Sequence, residues 1–262
     1  MNSVGFVGGG RIVRVFLSGW KQANCMPPAV TVSDPSADAL AKLKELFPQV
    51  QTTTDNTVSA SQEIVFLAVH PPVAKEVLPL LAGSLKARLL VSLAPVLTTE
   101  NLSGLLRGFP RIARTIPNAP SAVAMGFNPV AFGSGTGTED QERVLALLRP
   151  LGDCPIVSET DLEAYALISG RGPTYLWPLL FELIATARTL GLSAGAAVRA
   201  VEKTVLGSLA LATGGQMSAD EAMDLIPVKP MSEAAVLPAA LRASLPGLLA
   251  QMRGVSQPGP KP

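Results

Sequence analysis

Histidine is nearly missing from this chain: His70 is the one copy in 262 residues. Cysteine appears twice, as Cys25 and Cys154, and their spacing makes neither a metal site nor a disulfide framework. Free thiols in a reducing cytoplasm are the reading that fits. Charge is scarce too, at 16% of residues, and it nearly cancels to +1. No basic excess is available for a phosphate backbone or an anionic membrane, so nucleic-acid and membrane partners are excluded. Apolar runs stop short of the ~20 residues that span a bilayer. The N-terminal run has no charged region ahead of it and is broken by glycines, so it is not a signal peptide.

What the chain does have is apolar side chains, 48% of the total, with a mean hydropathy of +0.35. The length suffices for two domains. The excess gathers in the second half, which points to apolar surface buried between subunits.

The two halves differ in texture. Up to about Pro155, short β-type runs ("SVGFVG", "AVTVSD", "EIVFLAV", "LLVSLAP", "RIARTIP", "NPVAFGSG") alternate with segments of helical period. That alternation argues for a parallel sheet covered on both faces. After Glu159 the segments are long, apolar and strand-free. Gly172 and Pro173 mark a helix start, and the helix from there to Leu190 is apolar almost all round, as in a helix buried on every side. The closing "SQPGPKP" reads as a disordered tail.

"GFVGGGRIVRVF" places Gly8, Gly9 and Gly10 between the first strand and a helix. Gly8 and Gly10 fill the first two positions of G-x-G-x-x-G. The first permits a tight turn; the second lets a pyrophosphate approach the backbone at the helix N-terminus. Val13 stands where the third glycine is usual. Asp34 follows Gly10 by 24 positions, at the end of the second strand, which is the spacing of the ribose-binding acid. Asp34 suits a 2′-hydroxyl and hence NAD. Ser33 and Ser36 suit a 2′-phosphate and hence NADP, and Arg11 adds positive charge near either. Asp34 as a turn or helix-cap residue is the competing reading.

Five segments in order resemble the pyrroline-5-carboxylate reductases: "VGFVGGGRI", "VFLAVHPP", "LVSLAPVLT", "RTIPNAPSAVAMG" and "ALISGRGPTYLWPLLFELIATARTLGLS". The resemblance covers nearly the whole chain. It implies an α/β fold: an N-terminal Rossmann-type domain with a mostly parallel sheet, over residues 1–157, then an all-helical C-terminal dimerisation and substrate domain over 158–254, and the tail 255–262. It implies a cytoplasmic homodimer joined through the C-terminal helices, and hydride transfer from NADP (or NAD) to a small imino acid, pyrroline-5-carboxylate, giving proline. It places Gly8, Gly9, Gly10, Arg11, Ile12, Ser33, Asp34, Ser36, Asn56, Ala68, Val69, His70, Pro71, Ala94 and Asn118 around the cofactor. The segment from Pro117 to Pro120 becomes a rigid connection beside the nicotinamide.

The substrate half departs from the family pattern. The family's Ser-Pro-Gly-Gly-Thr-Thr loop corresponds here to "IPVKPMSEAAV", Ile226 to Val236. Its glycine pair is gone, and Ser232 is the hydroxyl that is left. Arg171 stands for a serine and Thr174 for an alanine. Arg171, Gly172, Thr174, Lys229 and Ser232 are therefore the substrate candidates. Lys229, Ser232 and Thr174 are the expected catalytic side, with Lys229 or Arg171 replacing the lost amide cradle by ion pairing. A reductase of another imine or carbonyl compound, or a dinucleotide-binding sensor without turnover, are the alternatives that the altered loop leaves open.

Overall fold

The structure is a computed structural model that describes residues 3–85, 89–215, 217–226 and 235–254. In chain order the first half runs β1 (Val4–Val7), α1 (Arg11–Gln22), β2 (Val30–Ser33), α2 (Ala37–Leu46), β3 (Gln51–Thr53), α3 (Asn56–Ala60), β4 (Ile64–Leu67), α4 (Pro71–Leu81), β5 (Leu89–Ser92), α5 (Thr99–Leu105) and β6 (Ile112–Thr115). A 3₁₀ turn (Ala119–Val123), β7 (Gly126–Phe127), β8 (Val130–Phe132), α6 (Thr138–Leu148) and β9 (Gly152–Asp153) follow. The rest is helical: α7 (Leu162–Tyr165) running into a π-turn (Ala166–Gly170), then α8 (Pro173–Thr189), α9 (Ala194–Thr213), α10 (Ala219–Asp224) and α11 (Val236–Met252).

The main sheet has the order β3-β2-β1-β4-β5-β6-β8. Every neighbouring pair is parallel except the last, where β8 runs antiparallel to β6. This is the mostly parallel Rossmann-type sheet that the alternating pattern predicts. The two-residue period of each strand divides the core. Val4, Phe6, Ile64, Phe66, Leu89 and Val91 face α1, α2 and α6. Val7, Val65, Leu67 and Leu90 face the residues of α3, α4 and α5. On the first face Phe6, Phe16, Trp20 and Phe66 form one aromatic cluster, with Phe6 and Phe66 stacked at 5.0 Å. The Trp20 indole donates to the Leu147 carbonyl at 2.8 Å and ties α1 to α6.

The chain forms two compact units. The first holds the described residues up to Arg171 together with those from Leu249 onward; the second is Gly172–Leu248. The first unit continues past residue 157 because Arg114 of β6 pairs with Glu159 and Glu163, which holds the segment leading into α7. The stretch 255–262 lies outside the described residues.

The second unit holds the helix that starts at Pro173, whose burial is expected between subunits rather than within one chain. The proline does sit in the first turn of α8, but no residue of α8 is buried. Leu176, Trp177, Leu179, Phe181 and Leu183 are all exposed, Phe181 by 66%. The helix carries apolar side chains all round, and this chain alone does not cover them. Among the described residues no helix is long and apolar enough to cross a membrane.

Candidate active site

The strand order reverses direction between β1 and β4, and in sheets of this kind a crevice opens there at the carboxyl ends of the strands. The glycine loop lies at that point. Gly8 has φ +102°, a conformation side chains resist, and a Cβ on it would stand 2.7 Å from the Ala68 carbonyl oxygen. Its N–H donates to the Ser33 carbonyl at 2.8 Å. Gly10 caps α1 without any side-chain hydrogen bond, and a Cβ there would meet nothing within 4 Å. The loop thus offers bare backbone and the first amides of α1 to whatever approaches, and a helix start of this kind favours an anion.

A cavity of about 650 Å³ lies along the loop. Gly8, Gly10, Arg11 and Ile12 line one stretch, with Asp34 and Pro35 from the end of β2. Ala68, Val69 and His70 follow β4, Leu93 and Pro95 follow β5, and Ile116 and Pro117 follow β6. Ala166, Arg171 and Met252 complete the wall. The lining is mostly apolar, and Arg11, Asp34, His70 and Arg171 are the charged or titratable side chains on it.

Eight of the expected cofactor residues line this cavity: Gly8, Gly10, Arg11, Ile12, Asp34, Ala68, Val69 and His70. The other seven, Gly9, Ser33, Ser36, Asn56, Pro71, Ala94 and Asn118, are not on its lining. Each has a local task that explains this. The Gly9 N–H donates to Asp34 Oδ2 at 2.8 Å, and the Ser36 N–H donates to Asp34 Oδ1 at 2.9 Å. Asp34 is thus both a cavity residue and a turn residue, and it clamps the glycine loop to the start of α2. The Ser33 hydroxyl is buried and donates to the Phe6 carbonyl. The Ser36 hydroxyl accepts the Ala39 N–H and caps α2. Asn56 opens α3 behind its cap Asp55, Pro71 opens α4 behind His70, and Ala94 is buried.

Asn118 is buried, and both ends of its amide are used inside the protein. Nδ2 donates to the Ser169 carbonyl at 3.3 Å, and Oδ1 accepts the Phe127 N–H at 3.0 Å. It fastens the wall after β6 to the π-turn. That turn brings Arg171 to the cavity, with the Arg171 N–H donating to the Ala166 carbonyl at 3.0 Å. Gly172 precedes α8 and Thr174 lies in its first turn, both in the second unit. Lys229 and Ser232 lie outside the described residues.

The wall residues Leu93, Ile116, Ala166 and Met252 went unread as site residues. Ile116 directly follows β6, at the carboxyl ends of the strands where the loop lies, which is a usable signal; a single methionine in an apolar helix offers none.

The profile of the family described as "NADP oxidoreductase coenzyme F420-dependent" matches residues 3–95. Pyrroline-5-carboxylate reductase 3 of Bos taurus is 31% identical over 208 residues, which is 78% of this chain and 67% of that one. The solved structure of a pyrroline-5-carboxylate reductase from Coxiella burnetii is 28% identical, with a TM-score of 0.75 over 98% of this chain and 99% of that one. The pyrroline carboxylate reductase of Plasmodium falciparum, solved with NADP bound, shares the fold at 22% identity, with a TM-score of 0.78 over 98% of each chain.

Proposed function

This chain belongs to the pyrroline-5-carboxylate reductase family, and from that premise we propose that it reduces a cyclic imino acid, pyrroline-5-carboxylate, to proline with NADPH. The observation that carries the reading is one cavity whose lining holds a bare glycine loop, Arg11 and Arg171 together. The phosphates suit the amides of Gly8 to Gly10 and the Arg11 guanidinium. Asp34 meets the adenosine ribose. Each of its carboxylate oxygens already accepts a backbone N–H, from Gly9 and from Ser36, which holds the carboxylate in place beside the ribose.

The strand order favours a nicotinamide end over β4, β5 and β6. Val69, Pro95, Ile116 and Ala166 shape it and exclude water. His70 reaches it from the N-cap of α4, with its backbone as the more useful part. Reduced nicotinamide supplies the hydride, and an iminium carbon takes it up without an elaborate acid–base pair. Arg171 binds the substrate carboxylate through charge-assisted hydrogen bonds, in place of the family's amide cradle. Gly172, Thr174, Lys229 and Ser232 are its proposed companions, from their places in the sequence motifs.

The functional unit is a homodimer formed by the helices of the second unit. Exposed Leu176, Phe181, Val198, Leu206 and Leu209 on α8 and α9 support this, because patches of this kind mark contact surfaces. The two free cysteines suit the cytoplasm. Light scattering on the purified protein tests the dimer; a monomer at all concentrations would overturn it.

The function is tested by following NADPH and NADH oxidation with pyrroline-5-carboxylate. Turnover, with a KM that rises on Arg171→Ala, supports the reading. Dinucleotide binding without turnover of this imine would move the substrate to another imine or carbonyl compound. No turnover of any such compound would leave a sensor.

A further inference from the structure

Met252, the last residue of α11, lines two cavities. One is the cavity of the glycine loop, where Met252 stands with Ile116 and Ala166. The other, of about 430 Å³, is bounded by Thr98, Asn101, Arg114, Glu159 and Glu163. Among the described residues, Met252 is the one side chain common to both walls. It packs against the apolar cluster of Ile116, Ala131, Leu162 and Ala166. Its neighbour Arg253 donates to the Thr160 carbonyl at 2.8 Å, which fixes the chain just after the thioether. All these residues belong to the first unit.

The two cavities differ in chemistry. The lining of one includes Pro95, Ile116 and Ala166; that of the other includes the carboxylates of Glu159 and Glu163 and the arginines Arg114 and Arg253. We propose that Met252 is the partition of the hydride-transfer end. Its thioether contacts the nicotinamide of the bound dinucleotide, keeps that end dry, and sets the room left for the substrate ring. This rests on the dinucleotide reading above. A flexible, apolar, polarisable side chain suits the task, because it closes an irregular gap without bringing a polar atom. Shortening it would join the two cavities and bring water, Glu159 and Glu163 toward the reacting carbon. An imine bulkier than a five-membered ring would then find space.

The test is a titration of the full chain with NADPH, read by the emission of the reduced nicotinamide, for wild type, Met252→Leu, Met252→Gln and Met252→Ala, with Tm measured alongside. Leucine keeps the apolar wall, so Met252→Leu should keep the wild-type emission of bound NADPH. Glutamine is nearly the same size but polar, so Met252→Gln should roughly halve the emission gain through admitted water. Met252→Ala should do the same and weaken binding about tenfold. Its kcat/KM should fall for pyrroline-5-carboxylate and rise relative to wild type for a six-membered cyclic imine. A core-filling role alone would lower Tm and leave the emission of bound NADPH unchanged in all three variants, and that result would overturn the proposal. Failure of the wild type to bind NADPH would overturn the dinucleotide reading and this proposal together. Binding by wild type without turnover would overturn only the substrate, and the emission comparison would still decide on Met252.

Discussion

Replacing Arg114 with methionine should unsettle the first unit more than most core changes. The Arg114 side chain is 1% exposed and makes two ion pairs, Nη1 to Glu159 Oε1 at 3.0 Å and Nη2 to Glu163 Oε1 at 2.7 Å. Glu159 is tied further, accepting the Thr99 N–H at 2.7 Å and the Thr99 hydroxyl at 2.9 Å. Glu163 is itself buried, so losing the guanidinium takes away the charge that faces its carboxylate. Breaking a buried pair in this way costs about 3–5 kcal/mol, against a total stability of roughly 5–15 kcal/mol. For a chain of this size that is a fall in Tm of roughly 6–20 °C. Thermal unfolding of Arg114→Met, Glu163→Gln and the double variant reads it directly. The double variant should be less damaged than the sum of the singles, because the stranded charge is then gone. A fall of under ~1 kcal/mol for Arg114→Met, or strict additivity in the cycle, would refute the argument. NADPH affinity should fall with it, since Glu163 sits in the helix that runs directly into Ala166 and Arg171 of the cavity wall.

Gly8→Ala puts a side chain at φ +102° and 2.7 Å from a backbone oxygen; the strain of about 1–3 kcal/mol should lower NADPH affinity at least tenfold, measured by titration, and unchanged affinity would count against the loop's role. Arg111 holds Asp140 through two hydrogen bonds of 2.7 and 2.6 Å, and that pairing draws the Asp140 carboxyl below its ordinary pKa. The stability this adds is fully present above about pH 4 and is lost as the pH falls through the lowered value. Asp140→Asn should therefore cost roughly 1–2 kcal/mol at neutral pH and flatten part of the acid limb of a Tm-against-pH curve; an acid limb identical to wild type would contradict it. Val96 has φ +74° although it is β-branched. Val96→Gly should relieve about 1–3 kcal/mol of strain while adding about 0.5–1 kcal/mol of chain entropy to the unfolded state, so Tm should rise; a drop would mean that the side chain packs better than its 42% exposure implies.

Much of the sheet is legible in the sequence because its central strands are buried on both faces and read as continuous apolar runs. β3 is not, because "QTT" is a short, polar edge strand whose side chains are partly exposed. β8 reads as a strand, but its antiparallel direction depends on the turn geometry after Pro117, which no period encodes. Among the cavity residues, those in the glycine loop and after β4 are legible because backbone demands single them out. Ser33, Ser36 and Asn118 each satisfy backbone around the cavity, a task that the sequence does not distinguish from contact with a ligand. Met252 is invisible for the opposite reason, since one apolar residue in an apolar helix carries no mark of what it faces.

The uncharged run from Ile116 to Gly126 shows how this protein divides the work. Its polar atoms turn inward. Asn118 fastens the wall to Ser169 and Phe127, and the Ser121 hydroxyl donates to Asn128 Oδ1 at 2.7 Å. A Cβ on Gly126 would collide with that same Ser121 hydroxyl, so the turn closes without slack. Prolines at 117 and 120 fix the chain further. What remains toward the cavity is the flank of Ile116 and Pro117, apolar and held still. A wall built this way contributes shape and dryness and no proton. Charge reaches the cavity from Arg11, Asp34 and Arg171, and among the described residues His70 is the one further titratable side chain on its lining. That division suits a reaction in which the cofactor carries the chemistry and the protein's part is to hold two flat rings face to face.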